Sequence, residues 1–577
     1  HRALVRRSHR RPPAVVSSAE SLLEALDDEQ RIAAQTLIGP LCMLAGAGTG
    51  KTRAITHRIA YGVATGVYAP DRVMALTFTS RAAAELRGRL RQLGATGVAA
   101  RTFHATALSQ LGHFWPEVIG GQMPRLLDSK ARVIAQAAET LRLKLDTATL
   151  RDLAAEIEWR KVSRLTLDQY AALLSQRTLP ASLDADKMVA VHRAYESVKD
   201  ERRQLDFEDV LLATAGMIEA EPRVAQQVRE QYRFFVVDEY QDVSPLQQAL
   251  LDLWLGDRQD LCVVGDASQT IYSFAGASAD FLLGFPTRFR EAAVVRLEQN
   301  YRSSPLIVGM ANQLMRGRPG ALALRASTGP AEASARAAPT VTSFPSEVAE
   351  ARAIAGLVAT AIASGTRPQD VAILFRINVQ SSPLEAALRD AGVTFQLRGG
   401  PRFFEQQEVK QALMMLKGAV IGATREPLFK TVSDVLRSLG WTQDAPEARG
   451  AVRDRWESLN ALMGLAEASA AGTSLKAFVL ELSERAASQH EPTMAAVTLA
   501  TLHSAKGLEW DTVFLVGLSD GYLPITYAKT EQAIDEERRL LYVGITRARR
   551  RLHLSWSSGA SGRGPERRAS RFLSGLA

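Results

Sequence analysis

Leu41-Cys42-Met43-Leu44-Ala45-Gly46-Ala47-Gly48-Thr49-Gly50-Lys51-Thr52 is the stretch on which the reading of this chain turns. Its apolar opening predicts a buried strand. The alternation of glycine with small residues cannot continue that strand, and Ile55, Ile59, Ala60 and Val63 then recur at helical spacing. Strand, glycine-rich turn and helix in this order make a cradle for phosphate. The glycines let backbone N–H groups turn toward anionic oxygens, and the new helix adds the positive end of its dipole. In that setting Lys51 reaches the β- and γ-phosphates of a nucleoside triphosphate and the Thr52 hydroxyl ligates Mg²⁺. The first position of the usual pattern is Ala45 rather than glycine, while the Gly50-Lys51-Thr52 end is intact.

Further along, Phe234-Phe235-Val236-Val237-Asp238-Glu239-Tyr240-Gln241-Asp242 ends an apolar run in two adjacent acids. A strand end holds Asp238 next to a metal ion and aims Glu239 at an attacking water. An Asp-Glu pair after a strand is common surface chemistry on its own; joined to the phosphate cradle it points to hydrolysis.

Around these two motifs, short apolar runs alternate with helical patterns, which predicts an α/β fold of parallel sheets with crossover helices. One set of expected strands is Leu41–Ala45, Val73–Thr77, Phe234–Asp238, Leu261–Gly265 and Val294–Leu297. A second is Thr340–Phe344, Val371–Phe375, Val497–Ala500, Thr512–Val516 and Arg551–Ser555. Residues 111–204 and 405–496 read instead as helix after helix. The layout is two α/β cores, each carrying a helical insertion.

Length and composition agree. The 577 residues amount to about four units at ~150 residues each. With 46% hydrophobic and 23% charged residues, disordered, collagen-like and coiled-coil classes are excluded. Cys42 and Cys262 are the two cysteines, both inside apolar runs, so a disulfide scaffold or Cys-rich zinc site is excluded and a reducing, cytoplasmic setting is expected. The net charge of +8 permits a polyanionic partner. No apolar run reaches the ~20 residues that span a bilayer, so no membrane partner is expected. Arg2, Arg6, Arg7, Arg10 and Arg11 lie in an expected flexible basic tail over residues 1–20, a solvated end or a nucleic-acid contact.

Ala45 to Thr52 together with Asp238-Glu239-Tyr240-Gln241-Asp242 resembles the UvrD/PcrA/Rep family of superfamily 1 helicases. Further stretches resemble the family's motifs in the family's order. Leu26-Asp27-Asp28-Glu29-Gln30 is similar to its adenine-reading motif. Thr77-Phe78-Thr79-Ser80-Arg81-Ala82-Ala83 and Thr102-Phe103-His104 are similar to its DNA-contacting motifs. The run Val264-Gly265-Asp266-Ala267-Ser268-Gln269-Thr270-Ile271-Tyr272-Ser273-Phe274-Ala275-Gly276 resembles motif III, and Leu297-Glu298-Gln299-Asn300-Tyr301-Arg302-Ser303-Ser304 resembles motif IV. Thr501-Leu502-His503-Ser504-Ala505-Lys506-Gly507-Leu508-Glu509-Trp510 resembles motif V. Glu536 to Ala548 resembles motif VI. The wording of motif III is similar to that of the second UvrD-type paralogues of actinobacteria, which continue into a cysteine-containing segment and an HRDC domain. This chain is therefore expected to be either a fragment or a motor-only form.

The resemblance implies two RecA-like cores with ATP between them. It divides the chain into core 1 (21–110 and 205–290) with an insertion at 111–204, and core 2 (291–404 and 497–577) with a short insertion at 405–496. Gln30 would read the adenine. Gly46, Ala47, Gly48, Thr49, Gly50, Lys51 and Thr52 would hold the phosphates, with Asp238 and Thr52 on Mg²⁺. Glu239 and Gln269 would act from the first core. Arg302 and Arg547 would reach the γ-phosphate from the second, Tyr301 would stack on adenine and Glu509 would lie near the ribose. Phe78, His104, Tyr272, Phe274 and His503 would contact the strand. Stacking on such platforms is worth ~1–3 kcal/mol per base and tolerates any sequence.

The implied activity is 3′–5′ translocation on single-stranded DNA and unwinding of tailed duplex DNA in bacterial repair or replication maintenance, with repair proteins as partners. Two departures matter. The family's Trp-Arg pair is Phe274-Ala275 here, which removes a cation beside the strand. The insertion at 405–496 is shorter than in well-known members. The alternatives are a translocase that strips proteins with little unwinding and an ATP-gated DNA clamp.

Overall fold

The computed structural model describes residues 19–177, 179–180, 183–327, 338–398, 403–421, 426–444, 446, 451–467, 469–470, 472–487, 496–559 and 566–576. Up to residue 18, the expected basic tail lies outside them.

The first sheet has six strands: β1 (Leu41–Ala45), β2 (Val73–Thr77), β3 (Ala99–Thr102), β4 (Phe234–Val237), β5 (Leu261–Gly265) and β6 (Ala293–Leu297). All pairs are parallel, in the order β3-β2-β4-β5-β1-β6. The second sheet is also six-stranded and parallel: β7 (Thr340–Phe344), β8 (Val371–Phe375), β9 (Phe395–Arg398), β10 (Val497–Thr501), β11 (Trp510–Leu515) and β12 (Ala548–Ser557), ordered β7-β12-β11-β8-β10-β9. Helices cover both faces, so the central strands β2, β4, β5 and β8 are buried throughout. This is why they read as continuous apolar runs rather than alternating ones.

The expected strands all form. β3 (Ala-Ala-Arg-Thr) and β9 (Phe-Gln-Leu-Arg) escaped the reading because each is only four residues long and half polar. Two expected boundaries differ, one here and one at residue 110. Residues 293–297, assigned above to the second core, pair along their whole length with β1, from Ala293 opposite Leu41 to Leu297 opposite Ala45. The chain passes to the second core only beyond that strand.

The first insertion leaves and returns through a two-residue parallel pair, Arg125–Leu126 with Gln204–Leu205. Between them lie the helices Lys130–Thr140, Thr147–Val162, Leu167–Leu173 and Ala185–Glu201. Helix Phe103–Val118 runs across residue 110 and packs Leu111, Phe114 and Trp115 into the first core with Leu211 and Trp254. At the foot of the insertion Lys161 and Lys199 are buried against Asp206 and Asp209. The second insertion has helices Gln407–Ile421, Leu428–Ser438, Ala451–Glu467 and Leu475–Ala487 around a core of its own. Among the described residues no helix is long and apolar enough to cross a membrane.

Candidate functional site

β1 delivers the chain into the glycine loop at the carboxyl edge of the first sheet, where ligands collect in parallel α/β folds. Gly48 (φ +71°) and Gly50 (φ +78°) adopt left-handed backbone, which glycine enters at no steric cost. Space makes the same demand: a Cβ on Gly48 would stand 2.7 Å from Asn300 Nδ2, and one on Gly46 would stand 2.3 Å from Leu324 Cδ2. The Thr49 hydroxyl donates to the Gly46 carbonyl at 2.9 Å, and Gln30 Nε2 donates to the Thr49 carbonyl at 2.9 Å. Gln30 is buried and also closes a capping box with Asp27 at the start of helix Asp28–Gln35. Gln30 is thus fastened directly to the loop.

Lys51 opens helix Lys51–Ala64, with Thr52 next to it. Its Nζ is buried without a hydrogen-bond partner, 3.7 Å from Glu239 Oε1. A buried ammonium lacking acceptors at the mouth of a ring of backbone amides fits the oxygens of a nucleotide's terminal phosphates. β4 runs into Asp238, and Glu239 follows in left-handed backbone (φ +53°, ψ +38°), a strain of about 1–3 kcal/mol for a non-glycine residue. The Glu239 amide donates to Asp238 Oδ1 at 2.9 Å, and the Gln241 side-chain amide donates to Glu239 Oε2.

The two acids are driven apart in acidity. Burial, then the Glu239 charge, pushes Asp238 up to about 7. Burial raises Glu239 as well, but Lys51 and Lys506 outweigh it and hold that carboxyl down at about 2. Of the two acids, Glu239 is the one the surrounding charges favour in its ionised form. Asp238 just beyond the end of β4 and the Thr52 hydroxyl next to Lys51 are oxygen donors of the kind taken by Mg²⁺, which uses few protein ligands beside phosphate and water.

The second core supplies the opposite wall. Arg302 Nη1 donates to the Thr546 carbonyl at 3.2 Å, and its Nε pairs with Glu509. Glu509 also pairs with Arg549, and these two arginines hold its carboxyl low against the effect of burial. Arg547 is enclosed, donating to the carbonyls of Val543 (2.9 Å) and Leu508 (3.2 Å) and to Thr546 Oγ1 (3.1 Å). Burial, then Arg302, lowers its pKa to about 9. The half-exposed Tyr301 donates its hydroxyl to Asp27 and its backbone N–H to the Gly48 carbonyl at 2.9 Å. Gln269 is buried and engaged elsewhere: its Nε2 donates to Asp266 Oδ2 at 2.8 Å, an oxygen that also receives the Tyr542 hydroxyl at 3.3 Å.

The five expected strand contacts fall into two groups. Tyr272, Phe274 and His503 form one aromatic cluster, with ring centroids 6.0–6.3 Å apart and Phe274 63% exposed. Burial, then Arg376 and Lys506, lowers His503 to about 3, so its ring is neutral. Phe78 and His104 lie on the first core, next to Phe103 and Phe207 respectively. Phe207, 57% exposed, is an aromatic surface that sequence reasoning passed over. Its signal was an aromatic residue at the first position of a helix whose N-cap, Asp206, is buried. Lys506 was also overlooked as a junction. It reaches from the second core to Asp242 Oδ2 (2.5 Å) and the Gln269 carbonyl (2.8 Å), and lies 5.0 Å from the Tyr272 ring centre.

Comparison with known proteins covers nearly the whole chain. Residues 26–290 match the UvrD/REP helicase N-terminal domain, and residues 295–444 and 428–559 match the UvrD-like helicase C-terminal domain. The chain is similar to the ATP-dependent DNA helicase UvrD2 of Mycobacterium tuberculosis, at 48% identity over 97% of this chain and 83% of the relative. It is similar to DNA helicase II of Escherichia coli at 30% identity, covering 96% of this chain and 88% of that protein. Similarity to the ATP-dependent DNA helicase PcrA of Bacillus subtilis is 27%, over 93% and 83%.

Proposed function

The chain belongs to the UvrD/Rep family of ATP-dependent DNA helicases, and from that premise we propose that it is a Mg²⁺-dependent motor that walks 3′ to 5′ along single-stranded DNA and opens tailed duplexes. The observation that carries the reading is the buried Lys51 ammonium, without a hydrogen-bond partner and 3.7 Å from Glu239, at the mouth of the glycine loop.

The loop amides and Lys51 hold the phosphates. Thr52 and Asp238 would hold Mg²⁺, which when bound would supply positive charge to the phosphate oxygens. Glu239 takes the proton of the attacking water. Arg302 and Arg547 face the terminal phosphate, and Gln269 leaves Asp266 to join them. Tyr301 stacks on the base read by Gln30, with Glu509 toward the ribose. Tyr272, Phe274, His503, Phe78 and His104 form the track, and the two insertions flank it. The setting we infer is bacterial DNA repair or replication maintenance in the cytoplasm, with repair proteins as partners.

Lys51→Ala removes a charged contact to phosphate worth about 1.5–3 kcal/mol, so nucleotide affinity should fall by about one to two powers of ten and hydrolysis should cease. Strand displacement on duplexes with a 3′ tail, a 5′ tail or blunt ends, with hydrolysis followed in the same tubes, tests polarity. Displacement from the 3′ tail alone supports the reading; displacement from the 5′ tail sinks it. Ala275 and the short second insertion favour a second reading, a translocase that displaces bound proteins. It predicts strand-stimulated hydrolysis without displacement.

A further inference from the structure

Asn300 is 1% exposed, and both ends of its side-chain amide are committed. Nδ2 donates to the Ala47 carbonyl of the phosphate loop at 2.6 Å. Oδ1 accepts two backbone N–H groups of its own turn, those of Arg302 (2.9 Å) and Ser303 (2.8 Å). These partners settle which end is which: two N–H donors require the oxygen, and a carbonyl requires the nitrogen. On either side of Asn300 the same loop is stitched again. Gly46 N donates to the Leu297 carbonyl at 3.2 Å, and Tyr301 N donates to the Gly48 carbonyl at 2.9 Å. Only after Arg302 does the backbone turn to the second core, where Ser303 Oγ donates to Ala548 O at 2.6 Å and Ser304 N to Arg549 O at 2.9 Å.

The two arginines opposite the phosphate loop are thus mounted differently. Arg547 is carried by the second core alone, at the end of helix Glu531–Ile545. Arg302 rests its guanidinium on second-core groups, but its backbone is fixed to the phosphate loop through Asn300. Gly48 leaves room for this close approach: a Cβ there would stand 2.8 Å from Arg302 Cβ.

We infer that Asn300 is a positioning residue of the nucleotide site, joining the phosphate loop to the turn that carries Arg302 so that Arg302 keeps its station beside the phosphates while the second core moves. Arg547 is then the group that closure of the cores delivers. The inference rests on the reading of Arg302 as a phosphate-facing group.

The test is a double-mutant cycle in the full chain, with steady-state hydrolysis measured on saturating oligo-dT. N300A removes both links. N300S keeps a short acceptor for the turn but cannot span to Ala47 O, and it carries the test should N300A fail to fold. Each is expected to lower kcat about 10- to 100-fold, the scale of a misplaced catalytic group, with KM for ATP within about threefold. Placed in an R302A background, either change should cost little more, because residues acting as one unit are not additive. Costs that multiply in the double mutant, or N300S turning over like wild type, overturn the inference while leaving the functional reading intact. R302A alone turning over like wild type overturns both.

Discussion

At Glu239 a strained backbone and a shifted acidity meet on one side chain. Glu239 sits in left-handed backbone with its carboxylate 3.7 Å from Lys51, and the two lysines favour its ionised form. Glu239→Gln keeps the size and the contact with Gln241 but cannot take a proton. We expect hydrolysis to fall about 10²–10⁴-fold, the range for loss of a general base, with binding of a fluorescent ATP analogue retained. Hydrolysis at the wild-type rate would remove Glu239 from the chemistry. The identity of this residue was legible in the sequence, because an apolar run ending in Asp-Glu opposite a glycine loop has few other uses. Its strain was not, since nothing in the residue names separates a left-handed glutamate from an ordinary one. Gln269 shows the converse: its place in the motif was legible, while its present bond to Asp266 depends on where Tyr542 arrives from a distant helix.

The strands that stood out most clearly are those buried on both faces. β1, β2, β4, β5 and β8 stand out as apolar runs, whereas β3 and β9, four residues long and half polar, carry too few apolar residues to be seen. The helical insertion at 111–204 was legible from periodicity, but its polar interior was not. His192 lies fully buried in that bundle, stacked on Tyr170 with ring centres 4.5 Å apart, and neither ring nitrogen has a partner. Burial, then Arg160 and Lys161, lowers its pKa from 6.5 to about 3. Between those two values the unfolded chain holds a proton that the folded bundle refuses. Stability therefore rises with pH across that window and falls as pH drops below 6.5, by up to about 1.4 kcal/mol per unit for this group. His192→Phe keeps a flat ring against Tyr170 and has nothing to titrate. The difference between urea midpoints at pH 7 and pH 5 should be smaller in this variant than in wild type, with hydrogen exchange placing the effect in helices Lys130–Thr140 and Ala185–Glu201. Equal differences would mean that His192 is protonated in the folded bundle.

For the whole molecule, the property that counts is how the two cores meet. On the proposed reading, the aromatic cluster of Tyr272, Phe274 and His503 would supply stacking to the strand, and phosphate contacts would supply the rest. Strand affinity should fall with salt with a logarithmic slope of about −2 or steeper, equivalent to about three phosphates at about −0.7 each; a flat response would argue against a DNA track. The junction behind that cluster is Lys506, whose ammonium is paired with Asp242 from the other core, both side chains under a tenth exposed. Removing one member of a buried pair costs up to about 3–5 kcal/mol, and Asp242, already raised to about 6 by burial despite Lys506, recovers part of that by taking a proton. The penalty applies only while the cores are together, since separation returns Asp242 to water. Lys506→Met should therefore shift the free protein toward open forms by about a power of ten or more. Energy transfer between dyes on the first core and on helix Glu347–Ala363 should fall in the variant and recover when ATP analogue and oligo-dT are added together, because their contacts to both cores replace the lost pair. Unchanged transfer in Lys506→Met would mean that the cores are held by other contacts, among them Arg539 to the Thr270 carbonyl at 2.7 Å and Ser273 to Glu536, and that Lys506 contributes nothing to closure.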